Sequence, residues 1–441
     1  MKKFKLKIIS VAFVFIFLAS VSTSPAVFSD VKNQSYFTSI KTTQLDVINA
    51  DPKIKTILEM IDEDLLLEFL ETLVGYGPRM TGTYGCKKSA EYIFNQFNEM
   101  NLETRYQNWT AFGNKYNPRI FKSQNVEGVL RGNNLSSDAI IIFSAHYDTV
   151  KTSPGANDDG SGTAAVLAAA YVLSKFEFEH TLKFVTFAGE EIGLLGSESY
   201  AKEAYEKNDN ILVDINADMI GHAETAEGGQ NMGITSTEDT TWLFDVIENI
   251  NAKYNINFQI NKGNIDRDGR GWSDYFPFVE YGYEALACWG GEHDENMHTK
   301  NDDISNINFS YLVKTTRIIV GTLAYLADNY DINPQVRIVS PRFGKLYFEG
   351  REKFNISNLK TVVIDDIWIW ADVKFGTDPI VRAEFYYGNK LIFTDTEPPF
   401  KLFFNKLSIR KHRIAVIVYD TLGRTSSDWR DIVFINILKN R

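Results

Sequence analysis

Apolar, strand-like runs alternate with runs of helical length between residues 139 and 329, and this alternation constrains the fold more than any other feature of the chain. The strands are predicted at 139–145, 182–188, 211–217, 232–236 and 284–288. The helices are predicted at 163–174, 194–205, 240–253 and 309–329. Alternation of this kind predicts an α/β fold, in which a mixed, mostly parallel central sheet is buried between layers of helices.

The chain on either side of this pattern is organised differently. Helical periodicity at 62–73 and 86–100 flanks the loop 75–82 on the amino-terminal side. After Pro334, short alternating runs such as 366–373 are separated by turn residues, which is typical of an all-β sandwich. We therefore predict an α/β domain at 29–333 and a β-sandwich domain at 334–441.

The amino terminus has the layout of a secretory signal peptide. Four lysines and no acidic residue lie in the first seven positions, and the apolar run 8–19 and then small residues follow. We place the signal peptide at 1–28 and expect a secreted, extracellular protein with no stable membrane span after its removal. The alternative is an uncleaved membrane anchor, although the run is short for a bilayer.

The net charge indicates which class of binding partner is disfavoured, and the cysteine count limits the possible disulfides. The net charge is −11, and loss of the four leader lysines would take it to about −15. Such an acidic chain argues against nucleic-acid partners. Export would permit a disulfide between Cys86 and Cys288, but two buried free thiols fit the sequence equally well.

Acidic residues and histidines follow three of the predicted strands. His146 and Asp148 follow the first strand, Glu190 and Glu191 follow the second, and Asp218 follows the third. In open α/β sheets, ligands gather at the carboxyl ends of the strands. Because carboxylates so concentrated repel one another, a cation is expected among them, and a mixture of imidazole and carboxylate ligands suits zinc.

Two further segments bring acids or a histidine to the same region. Asp158 and Asp159 lie in the glycine-rich loop 154–162, where we expect Asp159 to be an ordinary loop residue. His298 lies in a late loop. Lone histidines are more often structural, and that interpretation is kept for the four others: His180, His222, His293 and His412.

Five motifs together resemble the co-catalytic zinc aminopeptidase family, whose relatives include bacterial leucyl aminopeptidases and glutamate carboxypeptidase. They are His-x-Asp at 146–148, Pro-Gly-Ala-x-Asp-x-x-Ser-Gly at 154–162, Gly-Glu-Glu-x-Gly-Leu-Leu-Gly-Ser at 189–197, Asn-Ala-Asp-Met-Ile-Gly at 216–221 and His-Thr-x-x-Asp at 298–302. The resemblance covers about residues 61–329. It implies that family's three-layer α/β/α zinc-exopeptidase fold.

The resemblance also implies a ligand set for two Zn²⁺ ions. One ion would be held by His146 and Asp218, the other by Glu191 and His298, and Asp158 would bridge them. Paired metals can hold a water between them, lower its pKa and polarise a substrate carbonyl.

Two more residues receive roles from the same resemblance. Glu190 would be the general base toward that water and then the acid toward the leaving amine. Asp148 would orient the imidazole of His146 and raise its basicity. The Thr-x-x-Asp that follows His298 is missing after His293, which is why His298 is the preferred ligand.

The expected substrate is a peptide cleaved at its N-terminus. Carboxypeptidase relatives carry an arginine pair after the equivalent of Leu286, whereas this chain has Ala287, Cys288 and Trp289. The segment 272–278 resembles the family's Ser-Asp-His-x-x-Phe with Tyr275 in place of histidine. The oxyanion donor is not identified, and Arg270 is a candidate on charge grounds.

Other functions remain as alternatives or are disfavoured. A glutaminyl cyclase-like zinc transferase shares the implied fold but normally has one zinc. A binding or adhesion protein with a degenerate peptidase domain is the other alternative, because the sandwich resembles immunoglobulin-like modules of extracellular enzymes through 383–390, 394–399 and 418–423 and could contact a cell surface or polymer. The chain has no Gly-x-Ser-x-Gly and no His-Glu-x-x-His motif, which argues against serine hydrolases and single-zinc helix proteases.

Overall fold

The computed structural model describes the chain from residue 50 to residue 436. The exceptions within this span are residues 136, 237–239, 241, 265–270, 330–333, 343, 357–360, 375–378 and 406–407. The predicted signal peptide at 1–28 and the candidate Arg270 lie outside the described residues. In the part of the chain that is described, no helix is long and apolar enough to cross a membrane.

Eight α-helices are described. They are α1 (Pro52–Glu59), α2 (Glu63–Gly75), α3 (Tyr84–Glu99), α4 (Gly162–Leu173), α5 (Leu195–Lys207), α6 (Trp242–Lys253), α7 (Tyr275–Glu280) and α8 (Phe309–Asn329). Helix α2 shows why such segments form helices: the Asp62 side chain caps it by accepting a hydrogen bond from the N–H of Leu65 at 2.9 Å. Its buried residues recur at helical spacing and face the core.

A mixed eight-stranded sheet forms the centre of the α/β part. Its strands are β1 (Glu103–Phe112), β2 (Ile120–Leu130), β3 (Ile140–His146), β4 (Thr181–Phe187), β5 (Ile211–Ala217), β6 (Asn231–Ser236), β7 (Gln259–Asn264) and β8 (Ala285–Gly290). They lie in the order β1-β2-β4-β3-β5-β8-β6-β7. The middle strands β4, β3, β5 and β8 are parallel, and so are β6 and β7. The pairs β1–β2, β2–β4 and β6–β8 are antiparallel. The predicted α/β fold class is confirmed.

Helix α4 shows how the sequence brings a helix close to the sheet. Nearly all of its residues are buried, and most are alanine or other small residues. At its first residue, Gly162, a Cβ atom would lie 2.5 Å from the carbonyl oxygen of Ala217. Small side chains therefore allow the start of α4 to pack directly against the end of β5, which is where the predicted ligands gather.

The remaining strands form two further sheets. They are β9 (Gln335–Ser340), β10 (Lys345–Phe348), β11 (Arg351–Asn355), β12 (Thr361–Ile364), β13 (Ile367–Lys374), β14 (Ile380–Tyr387), β15 (Lys390–Asp395), β16 (Lys401–Phe404), β17 (Ser408–Asp420) and β18 (Thr425–Asn436). One sheet has the order β11-β10-β12-β18-β17-β14-β15 and the other β16-β13-β9. Their apolar side chains share one buried cluster, as expected for a sandwich. The immunoglobulin-like assignment and the boundary at 333/334 stay predictions.

Side chains connect the sandwich to the α/β part. The Tyr205 hydroxyl of α5 donates to the carbonyl of Val339 at 2.8 Å. The guanidinium of Arg337 lies over the rings of Tyr205 and Tyr283, at 5.1 and 4.5 Å from their centroids, and donates to Asn208 at 3.1 Å. These contacts lie on α5 and on the segment before β8, away from the carboxyl ends of the strands.

Candidate metal centre

The parallel strands deliver the predicted residues to one edge of the sheet. His146 is the last residue of β3, and Asp218 directly follows β5. Glu190 and Glu191 lie in the turn between β4 and α5. Because β4, β3 and β5 are parallel neighbours, their carboxyl ends meet at the same edge.

His146, Asp158 and Asp218 form the first group of facing side chains. The Nε2 atom of His146 lies 3.4 Å from Oδ1 of Asp158 and 3.8 Å from Oδ1 of Asp218. All three residues are buried, and one potential ligand atom from each lies within 4.8 Å of the others. This is the spacing of side chains that converge on a single ion.

Asp158 also belongs to a second group, with Glu191 and His298. The Nε2 atom of His298 lies 3.0 Å from Oδ2 of Asp158 and 3.3 Å from Oε2 of Glu191. Asp158 thus directs Oδ1 toward His146 and Oδ2 toward His298. The structure brings all five predicted ligands together, with the predicted bridging aspartate between the two groups; their role as ligands stays a prediction.

The ring of His146 is held in the orientation that a metal ligand needs. Its Nδ1 atom is 3.0 Å from the main-chain carbonyl oxygen of Asp148. A carbonyl can only accept, so Nδ1 carries the proton, and in the neutral ring the lone pair lies on Nε2. That lone pair faces Asp158 and Asp218.

The Asp148 carboxylate contacts the chain around the site more closely than it contacts the imidazole. Its Oδ1 atom is 3.7 Å from the His146 ring but accepts a hydrogen bond from the N–H of Glu190 at 3.3 Å. Its Oδ2 atom accepts from the Thr81 hydroxyl at 2.7 Å. The main-chain carbonyl of Asp148 therefore orients the ring, and the carboxylate fixes the backbone at Glu190.

Buried negative charge dominates the electrostatics of the two glutamates. Burial raises the pKa of Glu190 well above its ordinary value, and the neighbouring Glu191 and Asp218 add to this effect. Burial likewise raises the pKa of Glu191, although its hydrogen bond to His298 opposes the increase. Ionised carboxylates are therefore costly here unless a cation lies among them.

The histidines show the complementary effect. Hydrogen bonds to Asp158 and Glu191 raise the pKa of His298 to about 10, against the opposing effect of burial. Burial would lower the pKa of His146, but the charge of Glu190 and the hydrogen bonds to Asp158 and Asp218 raise it well above its ordinary value. Positive charge is thus favoured where the carboxylates converge, which is the electrostatic condition for binding cations.

The expectation that Asp159 is an ordinary loop residue is wrong. Its side chain is fully buried. Oδ1 accepts hydrogen bonds from the N–H groups of Gly162 at 3.0 Å and Met219 at 3.1 Å, and Oδ2 accepts from the N–H of His146 at 3.2 Å. Asp159 thereby fastens the end of β3, the start of α4 and the chain after β5 to one another.

Arg79 is a second residue that sequence reasoning missed. It is fully buried, and its Nε and Nη2 atoms donate to the carbonyls of Tyr147 at 2.7 Å and Gly155 at 2.8 Å. The positive φ of Gly155, +66°, and a main-chain oxygen 2.5 Å from where its Cβ would lie leave room only for glycine. Arg79 therefore holds the glycine-rich loop that presents Asp158.

The other histidines considered in the sequence, and the two cysteines, are outside the two ligand groups. His293 is 71% exposed and is in neither group, whereas His298 is 48% exposed and is in the second. His180 contacts the Ser137 hydroxyl at 2.7 Å. Cys86 and Cys288 are both buried free thiols, so the disulfide alternative is not the observed one.

Comparison with known proteins gives a family match for the segment that carries this site. Residues 125–323 match peptidase family M28. These matched residues lie within the α/β part of the chain. All five predicted ligands lie within the matched residues.

The α/β part of the chain has both sequence and structural relatives. It is similar to Aminopeptidase YwaD of Bacillus subtilis, with 30% identity over 273 residues, and the match covers 57% of this chain and 54% of that protein. The chain thus spans about half of the length of this curated relative. The solved structure of BSAP, a zinc aminopeptidase from Bacillus subtilis, aligns with a TM-score of 0.55 at 18% identity and covers 62% of this chain and 97% of its own.

A glutaminyl cyclase also shares the fold of the α/β part. The enzyme from Bacteroides thetaiotaomicron aligns with a TM-score of 0.51 at 16% identity, and the alignment covers 60% of this chain and 98% of its own. Identities this low show a common fold and do not separate the two activities.

Proposed function

We propose that this chain is a zinc-dependent aminopeptidase that binds two zinc ions and hydrolyses the N-terminal peptide bond of peptides. The observation that carries the proposal is the position of Asp158, whose two oxygens face two separate groups of ligand atoms. The match of residues 125–323 to peptidase family M28 and the aminopeptidase names of the relatives support the same activity.

The residues present fit zinc. Each group combines one histidine with two carboxylates, which are ligand types that zinc binds, and three protein ligands leave a fourth position for water or substrate. When bound, the two ions would lower the pKa of a water and polarise the carbonyl of the scissile bond. His146 and Asp218 would hold one ion, Glu191 and His298 the other, and Asp158 both.

Glu190 would move the protons of the reaction. Its N–H donates to Asp148 at 3.3 Å, and its carbonyl accepts from the N–H groups of Gly193 at 2.8 Å and Leu194 at 3.0 Å, so its backbone is fixed on both sides. Burial raises the pKa of its carboxyl group, which makes the carboxylate a stronger base than an exposed glutamate. Glu190 would take a proton from water and pass it to the leaving amine.

The end of β8 supports action at the N-terminus of the substrate. Ala287 and Cys288, which stand where carboxypeptidase relatives have arginines, are buried in the strand. Neither side chain can bind the C-terminal carboxylate of a peptide. Recognition of a free amine is left to the carboxylates of the centre, which are suited to a cation.

The activity can be tested on the purified full-length protein. We expect it to hydrolyse leucine p-nitroanilide and a free peptide but not the same peptide with an acetylated N-terminus. A chelator should abolish hydrolysis, and zinc should restore it. Chelator-insensitive hydrolysis, or equal hydrolysis of the acetylated peptide, would contradict the proposal. Formation of pyroglutamate from an N-terminal glutamine peptide, without hydrolysis, would favour the cyclase alternative.

We also propose that the protein is exported and that the sandwich contacts a cell-surface polymer. The signal-peptide pattern at 1–28 supports export. Trp368 and Trp370 alternate with buried residues on β13 and are exposed, as is Phe403, whose ring centroid is 5.1 Å from that of Trp368. Flat aromatic rings of this kind stack on sugars. Replacement of both tryptophans by alanine should reduce co-sedimentation with cell-wall polysaccharide.

A further inference from the structure

The tip of the β1–β2 hairpin, residues 112–122, lies at the rim of the candidate centre. Strand β2 runs antiparallel to β4 with Val126 opposite Thr186, so the residues before Val126 extend past the carboxyl end of β4. At the tip itself, the N–H of Asn114 donates to the carbonyl of Ile192 at 3.1 Å. Ile192 directly follows Glu191. The hairpin tip is therefore attached to the loop that carries the two glutamates of the site.

The hairpin tip is a local concentration of positive charge on an acidic chain. Lys115, Arg119 and Lys122 all lie in it, and residues 112–122 include no acidic residue, although the chain has a net charge of −11. All three cations are exposed, and none has a salt bridge to an acidic residue among those described. Their charge is thus available to a ligand that arrives from solvent.

Large apolar side chains accompany these cations. Phe112, Tyr116 and Ile120 are 63%, 77% and 67% exposed. Phe112 and Ile120 are directly opposite each other in the hairpin, so they form one apolar pair, and the ammonium of Lys115 lies 4.7 Å from the centre of the Tyr116 ring. A surface that combines exposed aromatic rings with cations that have no acidic partner among the described residues is suited to binding peptides that carry both apolar groups and carboxylates.

Because an aminopeptidase cleaves after the first residue of a peptide, the cleavage position determines which part of the peptide can reach this surface. Only one residue precedes the cleaved bond, and it must lie at the metal centre. Any surface at the rim therefore meets residues that follow the cleaved bond.

We propose that the hairpin tip binds the downstream part of peptide substrates and selects those with acidic residues next to apolar ones. This inference rests on the proposed aminopeptidase activity. Lys115, Arg119 and Lys122 would attract the carboxylates, and Phe112, Tyr116 and Ile120 would pack against the apolar side chains. Attraction between exposed charges weakens with ionic strength, so the selection should be strongest at low salt.

Paired substrates test the inference. The peptides Leu-Ala-Asp-Asp-Phe and Leu-Ala-Lys-Lys-Phe share the same N-terminal bond, and leucine p-nitroanilide has no downstream residues. We expect wild-type protein to favour the acidic peptide by about tenfold in kcat/KM at low salt, with the difference shrinking at high salt. In the triple variant K115E/R119E/K122E the preference should vanish or reverse, while hydrolysis of leucine p-nitroanilide stays within about twofold of wild type.

A charge-matched variant controls for net charge. K55E/K175E/K202E changes three exposed lysines on other elements by the same total charge, and it should keep the wild-type preference. Equal preference in the hairpin variant and wild type would overturn the inference, as would a wild-type protein with no preference, or with one insensitive to salt. If the hairpin variant does not fold, the salt dependence of the wild-type preference for the acidic peptide still tests the inference. Failure of wild type to hydrolyse leucine p-nitroanilide would instead reject the proposed function itself.

Discussion

The carboxylate of Asp302 accepts a hydrogen bond from the main-chain N–H of Asp158, with 3.1 Å between Oδ2 and N. Its Oδ1 atom accepts from the N–H of Asn157 at 2.7 Å. Asp302 lies four residues after His298, so the segment that presents one predicted ligand also fixes the backbone of the bridging one. This contact gives the Thr-x-x-Asp after His298 a physical role: it sets the position of Asp158 relative to the second group.

Replacing Asp302 by asparagine should weaken metal binding without removing a ligand. The amide keeps one accepting oxygen, but its NH₂ group cannot accept from the second main-chain N–H, so the backbone at Asp158 loses a hydrogen bond. We expect zinc affinity to fall by roughly tenfold or more, as is typical when a residue that supports a ligand is changed. Competition with a chromophoric chelator would measure it. Asp303→Asn is the matched control, because Asp303 is partly exposed and caps a short helical turn through the N–H of Ser305. Equal affinities in the two variants would contradict this role.

Two separate variants, Glu190→Gln and Glu191→Gln, should distinguish the residue that transfers protons from the residue that binds metal. Glu190→Gln removes the proposed base, so we expect kcat to fall by about a hundredfold or more with the zinc content retained. Glu191→Gln removes a predicted ligand of the second group, so the zinc content itself should fall. Elemental analysis beside steady-state kinetics would distinguish the two. Loss of zinc in Glu190→Gln, with retention in Glu191→Gln, would reverse the assignments.

The central fold could be predicted because its strands and helices have different periodicities. The strand predicted at 211–217 is β5 (Ile211–Ala217), and the helix predicted at 309–329 is α8 (Phe309–Asn329). The β1–β2 hairpin was not predicted. In β1 only Gln107 and Trp109 are buried, and the buried part of β2 includes the polar residues Asn125 and Glu127, so the apolar signal is weak.

The convergence of the five predicted ligands could be predicted because the motifs that carry them are specific, whereas the residues that support them could not. Asp158 and Asp159 are adjacent acidic residues in one loop, and the sequence alone does not distinguish them. The path of the backbone directs Asp158 toward the two ligand groups. It directs Asp159 toward the N–H groups of His146, Gly162 and Met219. Arg79 carried no signal beyond its place in a glycine-rich loop. Its partners are main-chain carbonyls, and since every residue has one, the sequence does not show which of them Arg79 binds.

Arg79→Lys should destabilise the fold although it keeps the charge. The guanidinium donates from Nε, Nη1 and Nη2 to the carbonyls of Tyr147, Pro154 and Gly155, and a single ammonium cannot reach all three. We expect a loss of about 2 kcal/mol or more in the free energy of unfolding, because buried carbonyls are left without donors. Arg131→Lys is the control, since Arg131 is exposed and pairs with Glu103 at the surface. Urea denaturation of both variants would measure the difference, and similar midpoints would contradict the prediction.

A carboxyl group remote from the metal ligands should make stability depend on pH. Glu280 is the last residue of α7. Burial raises its pKa to about 8, the charge of Glu198 adds to the increase, and Lys345 opposes it. In the unfolded chain the pKa returns to about 4.3. Between these two values the folded protein holds a proton that the unfolded chain has released.

Stability should therefore fall as the pH rises through this window, with the full loss reached above pH 8. Each unit of pKa difference corresponds to at most about 1.4 kcal/mol, and residual solvent contact reduces that figure. Glu280→Gln removes the titrating group, so its unfolding free energy should decline less than that of wild type between pH 5 and pH 8.5. Glu206→Gln, an exposed change on α5, should keep the wild-type slope. Urea midpoints at several pH values would compare the three proteins. Parallel curves for wild type and Glu280→Gln would mean that Glu280 is ionised in the folded protein at neutral pH.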